Sequence, residues 1–236
     1  MKEIKKGVGK VVKSLKSVAK KAVSQVKKLT RRTQRVGLNS DILKQKKFAQ
    51  LGYVSVNDNG KITETLSGTG FALDPSLSSD EIKVFHNPKT KEVSVSYRGT
   101  ALDKPSRWKD IKSDWAILTG KEKNDRRFRQ ARHHFGQVLA KYEGDGNVIT
   151  TTGHSLGGQL SKHVNTSYKG KVHQNIAFSR GSGLLEPFRR KQQNTIDVSN
   201  RNDLISLGAR LQGGKQLIER SNKSVAKSHN LDNFYA

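Results

Sequence analysis

Hydrophobic positions over the first thirty residues recur with the spacing of one helix face. Ile4, Val8, Val11, Val12, Leu15, Val18, Ala19, Ala22, Val23, Val26 and Leu29 fall within an arc of about 140° at about 100° per residue, with the lysines on the opposite arc. The pattern predicts a strongly amphipathic basic helix from 1 to about 29, about 45 Å long. Gly7 and Gly9 weaken its first turns. From residue 39 the pattern changes to helical segments alternating with short strand-like ones, which is the order of an α/β sheet. Asn39 or Ser40 is placed to cap a helix reaching about 51. Strands are expected over 82–85 and 92–97, with His86-Asn87-Pro88-Lys89-Thr90-Lys91 as the hairpin turn between them. A helix over about 125–142 is supported by Phe128, Ala131, Phe135, Val138, Leu139 and Tyr142 at helical spacing. A strand over 147–152, a helix starting near 155 and strands over 175–178 and 195–198 follow. Trp108, Ile111, Trp115 and Leu118 also share helical spacing and include both tryptophans.

Charge divides this pattern in two. The chain has 236 residues and a formal charge of +25, from 45 Lys and Arg against 20 Asp and Glu. That length holds one sizeable domain with little room for a second. The hydrophobic fraction of 33% is low for an enzyme but too high for disorder of the whole chain. Residues 1–35 hold thirteen Lys or Arg and a single acid, Glu3, so this segment is +12 and the remainder +13. The expected organisation is therefore a basic amphipathic helical tail over 1–35 and one α/β domain over 36–236. An anionic membrane surface suits the tail, each Lys contributing about 1 kcal/mol near acidic lipid. Its apolar face has no aromatic residue, so insertion would be shallow and salt-sensitive. Nucleic-acid binding through 1–35, packing on the domain, a coiled coil with a partner, a solvated tail and an organelle-targeting helix remain compatible with the same residues.

Composition also excludes chemistry. With no cysteine there are no disulfides, thiolate metal sites or cysteine nucleophiles. No apolar run approaches the eighteen or so residues that span a bilayer, and the N-terminus lacks the apolar core of a secretory signal. A soluble or peripheral membrane protein is expected, without Sec export. No grouping of His and carboxylates has metal-ligand spacing, so neither metal nor cofactor is expected.

The sharpest motif is Gly153-His154-Ser155-Leu156-Gly157-Gly158, entered from the β-branched run Val148-Ile149-Thr150-Thr151-Thr152 and followed by a helix. It fits the Gly-x-Ser-x-Gly turn, in which a strained strand-to-helix corner holds a nucleophilic serine at a helix N-terminus. Alone the five-residue pattern is weak; the strand before it and the helix after it carry the reading. A serine hydroxyl needs a histidine to take its proton, and that histidine needs an acid to hold its tautomer. In this type of site they follow the serine in the order acid, then histidine. After Ser155 the histidines are His163, His173 and His229, and His229 alone follows an acid. His163 is expected on a helix surface and His173 at a strand start. Asp197 lies within a strand, whereas Asp203 follows Asn200-Arg201-Asn202 in a polar loop from which a side chain can reach across, which makes Asp203 the better acid. His133 and His134 are expected on a helix surface, and His154 is expected to support the serine turn.

Taken together, Val95-Ser96-Tyr97-Arg98-Gly99-Thr100, Asp114-Trp115, the Gly153–Gly158 motif, Asn200-Arg201-Asn202-Asp203-Leu204-Ile205 and Ser228-His229-Asn230-Leu231-Asp232 resemble, in order, the lipase class 3 family. The match covers about 80–236 and leaves out the tail. The resemblance implies an α/β-hydrolase fold with a mostly parallel sheet flanked by helices. It also implies triacylglycerol lipase or phospholipase activity with Ser155 as nucleophile, Asp203 as acid and His229 as base. It places Thr100 in the oxyanion hole, through its backbone N–H and hydroxyl, together with the Leu156 N–H. Arg98 is expected to be structural. The 108–118 segment occupies the place of a family lid, although Lys104, Arg107, Lys109 and Lys112 would make it unusually basic, and a helix packed on the core fits equally well. The expected function is a serine carboxylic-ester hydrolase acting on lipids, phospholipid in preference, at anionic membranes. The rival is a catalytically passive hydrolase scaffold that disrupts membranes or binds nucleic acid. An acyltransferase would use the same residues. A bacterium, a virus particle that must breach a membrane and an intracellular remodelling pathway all suit such a chain, and oligomeric state leaves no mark on the sequence.

Overall fold

The computed structural model describes residues 33–100, 125–182, 192–219 and 227–233. The expected helix over 1–29 and the 108–118 segment lie outside the described residues. The elements are strands β1 Thr33–Arg35, β2 Ala72–Leu73, β3 Ile82–Asn87, β4 Glu92–Tyr97, β5 Val148–His154, β6 Gln174–Phe178, β7 Thr195–Asn200 and β8 Gly214–Glu219. The helices are α1 Ser40–Leu51, α2 Asn59–Leu66, α3 Arg126–Tyr142, α4 Leu156–Ser167 and α5 Leu207–Gln212.

The strands form one sheet in the order β1-β8-β7-β6-β5-β4-β3-β2. Every neighbour pair from β1 across to β4 is parallel, and β3 runs against both β4 and β2. A parallel neighbour needs a crossover, and α3 and α4 supply those from β4 to β5 and from β5 to β6. This is a mostly parallel α/β-hydrolase-type sheet flanked by helices, the fold class expected from the sequence.

Strand alternation explains the two covered faces. Val93, Val95 and Tyr97 of β4 join Phe128, Ala131, Phe135 and Val138 of α3 and Leu156, Leu160 and Val164 of α4 in one cluster. On the other face, Ile42 and Ala49 of α1 pack on Ile176, Phe178, Ile196 and Val198, and Phe48 and Leu51 pack on Phe85. Each fully buried Val, Leu, Ile or Phe side chain among them contributes about 1.5–3 kcal/mol. Helices α1 and α3 start at side-chain caps: Asn39 accepts the Ile42 N–H at 2.9 Å, and Asp125 accepts those of Arg127 and Phe128. The central strand β5 is polar as well as buried. Its Thr151 and Thr152 hydroxyls donate to Asn175 Oδ1 and the Ile176 carbonyl at 3.0 and 2.8 Å, so burial leaves neither unsatisfied.

The structure adds and corrects. Residues 33–35, assigned by charge to the tail, are the edge strand β1 paired with β8, so the sheet begins three residues before 36. Backbone pairing decided this, and a charge count does not register pairing. β5 runs on to His154 and β7 to Asn200, past their expected ends. β2, α2, α5 and β8 are additions. The first three are short, and β8 opens on Gly214 directly after Gly213, a pair of glycines that masks its alternation.

Asp197, in the middle of β7, is taken up by Arg180. The guanidinium meets the carboxylate through Nε at 2.8 Å and Nη2 at 3.1 Å, and also donates to Gln159 and Gln212, joining the segment after β6 to β7, α4 and α5 inside the protein. Replacing Asp197 by Ala leaves a buried guanidinium without its carboxylate. Urea unfolding should show a loss of about 3–5 kcal/mol, whereas a loss below about 1 kcal/mol would mean that the pair does not hold these elements together.

Candidate active site

The parallel strands end along one rim of the sheet, the side on which such folds collect their functional groups. β5 ends at His154 and turns through Ser155 into α4. Ser155 has φ 57° and ψ −121°, a backbone conformation that costs a side-chain-bearing residue about 1–3 kcal/mol. The surroundings hold it there: its N–H donates to the Phe178 carbonyl at 3.0 Å, and its own carbonyl accepts from Gly181 and Gln159, each at 3.3 Å. The flanking glycines have a steric reason. A Cβ on Gly157 would lie 1.9 Å from the Tyr97 carbonyl oxygen, and one on Gly153 would lie 2.4 Å from the Gly157 carbonyl carbon. β4, β5 and α4 approach too closely there for any side chain.

The structure brings three of the expected site residues into one hydrogen-bonded chain. Ser155 Oγ lies 2.9 Å from His229 Nε2, and His229 Nδ1 lies 3.0 Å from Asp203 Oδ2. All three are buried. Asp203 Oδ1 accepts the Ile205 N–H at 3.0 Å. Burial pushes the Asp203 carboxyl up, and the hydrogen bond and charge of His229 outweigh it, so the group ends below its ordinary value and is ionised at neutral pH. An ionised Asp203 accepts the Nδ1 proton, which leaves Nε2 free to accept one from Ser155. The other two expected residues stand beside this chain. Leu156 opens α4, where the first turn leaves N–H groups without helical partners. Thr100 follows Gly99, where an added Cβ would come within 3.4 Å of the Ser155 Cβ.

Several supporting residues escaped the sequence reading. Arg210 Nη1 donates to the carbonyls of Asn200 and Asp203, both at 2.7 Å, and so fixes the acid's loop from α5. Asn200 Nδ2 donates to the Ser228 carbonyl at 2.9 Å, tying β7 to the segment that carries His229. Arg127 Nη2 donates to the Arg98 carbonyl at 2.7 Å, holding the end of β4 from α3. Tyr53, in the turn after α1, has its hydroxyl 2.9 Å from His154 Nδ1. No spacing rule links these positions to their partners, which are brought together by the sheet. Two histidines depart from expectation. His134, expected on the surface, is half-buried with Nε2 donating to the Leu77 carbonyl at 2.6 Å. His163 turns its ring edge-on to Phe128, with centroids 5.0 Å apart, which places it between α3 and α4.

His154 has both ring nitrogens engaged. Its Nε2 lies 2.6 Å from the His229 carbonyl oxygen, which can only accept, so Nε2 carries the proton and Nδ1 accepts from the Tyr53 hydroxyl. Burial, reinforced by the neighbouring His229, lowers its pKa from 6.5 to about 3. The unfolded chain therefore takes up a proton near pH 6.5 that the folded chain refuses until about pH 3. Between those values the unfolded state binds more protons, so stability falls as pH falls through that window, by up to about 1.4 kcal/mol per pH unit from this residue. Urea unfolding of the wild type and of His154→Gln at pH 7, 6 and 5 should show a shallower loss in the variant. Equal slopes would mean that His154 titrates normally in the folded protein.

The chain matches no protein-family model and no curated protein sequence. It is similar to solved structures of fungal lipases. A propeptide complex of a Rhizomucor miehei lipase deletion mutant has 11% sequence identity and a TM-score of 0.49, with 79% of this chain and 69% of that chain covered. Lipase II from Rhizopus niveus has 11% identity and a TM-score of 0.46, covering 82% and 84%. Lip2 lipase from Yarrowia lipolytica has 15% identity and a TM-score of 0.44, covering 75% and 77%.

Proposed function

We propose that this protein is a serine carboxylic-ester hydrolase that cleaves acyl esters of lipids at anionic membrane surfaces. The observation that carries the reading is the chain Ser155 Oγ, His229, Asp203, with contacts of 2.9 and 3.0 Å, presented on a strained turn at the start of a helix. In the reaction, His229 Nε2 accepts the Ser155 proton as Oγ attacks the acyl carbonyl. Asp203 stabilises the imidazolium that forms. Negative charge collects on the former carbonyl oxygen, where the N–H of Leu156 and the N–H and hydroxyl of Thr100 receive it, each donor contributing about 10²–10³ in rate. His229 then protonates the leaving alcohol. It next deprotonates a water that attacks the acyl-enzyme, releasing the acid and restoring Ser155.

A lipid substrate is supported by the order of five lipase-like motifs along the sequence, and an anionic surface by the charge. At +25, with +12 of it in residues 1–35, the protein concentrates on acidic phospholipid and has little attraction to a neutral triacylglycerol droplet. Phospholipid is therefore the preferred substrate.

Fatty-acid release from vesicles of mixed neutral and anionic phospholipid, and hydrolysis of a soluble short-chain ester, test the serine mechanism directly. Ser155→Ala should lower both by about 10⁴-fold or more and should lose labelling by a fluorophosphonate. Turnover unaffected by that change would exclude Ser155 as the nucleophile. Removing residues 1–32, which leaves β1 intact, should slow release from anionic vesicles about tenfold or more and leave soluble-ester turnover unchanged. Raising salt should reduce release from those vesicles by the full chain. Release indifferent to truncation, salt and anionic lipid would overturn the membrane part of the proposal.

A further inference from the structure

One buried chain of hydrogen bonds runs beside the candidate triad without touching a reacting atom. It starts just past β4, where the Tyr53 hydroxyl packs against the backbone of Gly99. The Tyr53 O–H donates to His154 Nδ1 at 2.9 Å, and His154 Nε2–H donates to the His229 carbonyl at 2.6 Å. The direction of every link follows from its last member, because a carbonyl only accepts. The sequence makes room for the chain at Gly99: an added Cβ would lie 2.3 Å from the Tyr53 hydroxyl oxygen and 2.6 Å from the His154 carbonyl. The Tyr53 ring is kept in place by His154, edge-on with centroids 5.9 Å apart, and by the Arg98 guanidinium 6.0 Å from the ring centre.

We infer that Tyr53 is a positioning residue for the ester-hydrolase reaction, its hydroxyl coupling the strand end that leads into Thr100 to the backbone of His229 through His154. The inference rests on the proposed reading of Ser155, His229 and Asp203. One hydroxyl then sets two things that must agree in the transition state. It packs against the backbone of Gly99, the residue before the Thr100 oxyanion donor. Through the His154 ring it also fixes the main chain of the general base. Asp203 orients the His229 ring from Nδ1, while the Tyr53–His154 pair holds the main chain on which that ring stands. A displacement of a few tenths of an ångström at either end misaligns donor and base together, which lowers turnover more than substrate binding.

The test measures kcat and KM on a soluble short-chain ester and Tm for the full chain, with Ser155→Ala as the control. Tyr53→Phe keeps the ring and removes the hydroxyl; it should lower kcat about tenfold or more, leave KM within about twofold, and lower Tm by less than about 8 °C. His154→Gln can still accept from Tyr53 and donate to His229, and should keep most of kcat. His154→Leu can do neither and should fall as far as Tyr53→Phe. The double variant Tyr53→Phe with His154→Leu should be no slower than His154→Leu alone, because both changes break one chain. If Tyr53→Phe loses its native near-ultraviolet spectrum, the contrast between His154→Gln and His154→Leu decides. A kcat for Tyr53→Phe within about twofold of wild type, additive losses in the double variant, or equal kcat for the two His154 variants would overturn the inference. A wild type without Ser155-dependent turnover would overturn the underlying reading instead.

Discussion

The site depends on how closely two stretches of backbone approach. The Tyr97 carbonyl at the end of β4 and the Gly157 backbone in the first turn of α4 lie so near that a methyl group on Gly157 would sit 1.9 Å from that oxygen. This contact seats α4 on the sheet, forces the chain through the strained corner at Ser155, and brings the end of β4 alongside that corner. The strain at Ser155 persists because Phe178, Gly181 and Gln159 hold its backbone from β6, the segment after it and α4. A larger residue at Gly153 or Gly157 would lift the helix and release the corner, so the glycines of the motif are a packing requirement first and a signature second.

Two carboxylates, one within β7 and one in the loop just beyond it, show how environment separates roles. Asp197 lies within β7 and is matched two-pronged by Arg180, an arrangement that joins elements and leaves the carboxylate no room to serve a histidine. Asp203 lies just past the strand, accepts from His229 and the Ile205 N–H, and has its own loop carbonyl gripped by Arg210. Both are almost fully buried. The difference is geometric: a side chain on a central strand points into the layer beneath, whereas one in the loop beyond can lean across the rim toward β5.

Most of the layers were legible in the sequence, because periodicity reports which side of an element is covered. The hairpin of β3 and β4, the helices at Ser40 and Arg126 and the order of strands from β4 to β7 all follow from it. The serine motif, the polar loop after β7 and chain order singled out Ser155, Asp203 and His229 in turn, which the fold places in hydrogen-bond contact. What the sequence did not disclose depends on distance in space rather than along the chain. Tyr53 reaches a histidine 101 residues on, Arg127 holds a carbonyl 29 residues back, and β1 pairs Thr33 with Gly214 at the far end of the chain. Short elements fail for a second reason: α5 has six residues and β2 has two, too few for any period to show. The histidines misjudged as surface residues share a third reason. A helix with a mixed polar face does not reveal which of its polar positions a neighbouring element will cover, as Leu77 covers His134 and Phe128 covers His163.

The place where the basic segment joins the sheet bears on how charge and chemistry divide the work. Residues 1–32 lead into β1, which is the far edge of the sheet, with β8, β7 and β6 between it and β5. At about 4.8 Å per strand the join is about 19 Å from the strand that carries Ser155. Thr33 pairs with Gly214 at the start of β8, so the segment enters at the end of the parallel strands opposite to the rim that carries Ser155. A cationic tail attached there does not shape the pocket around Ser155 through its point of attachment. On the proposed reading its contribution is to raise the local concentration of the domain at an acidic surface, by attraction that salt screens. The reacting groups are meanwhile fixed by buried contacts that salt does not reach. On that reading, surface affinity and bond cleavage belong to different parts of the chain, joined through a three-residue strand.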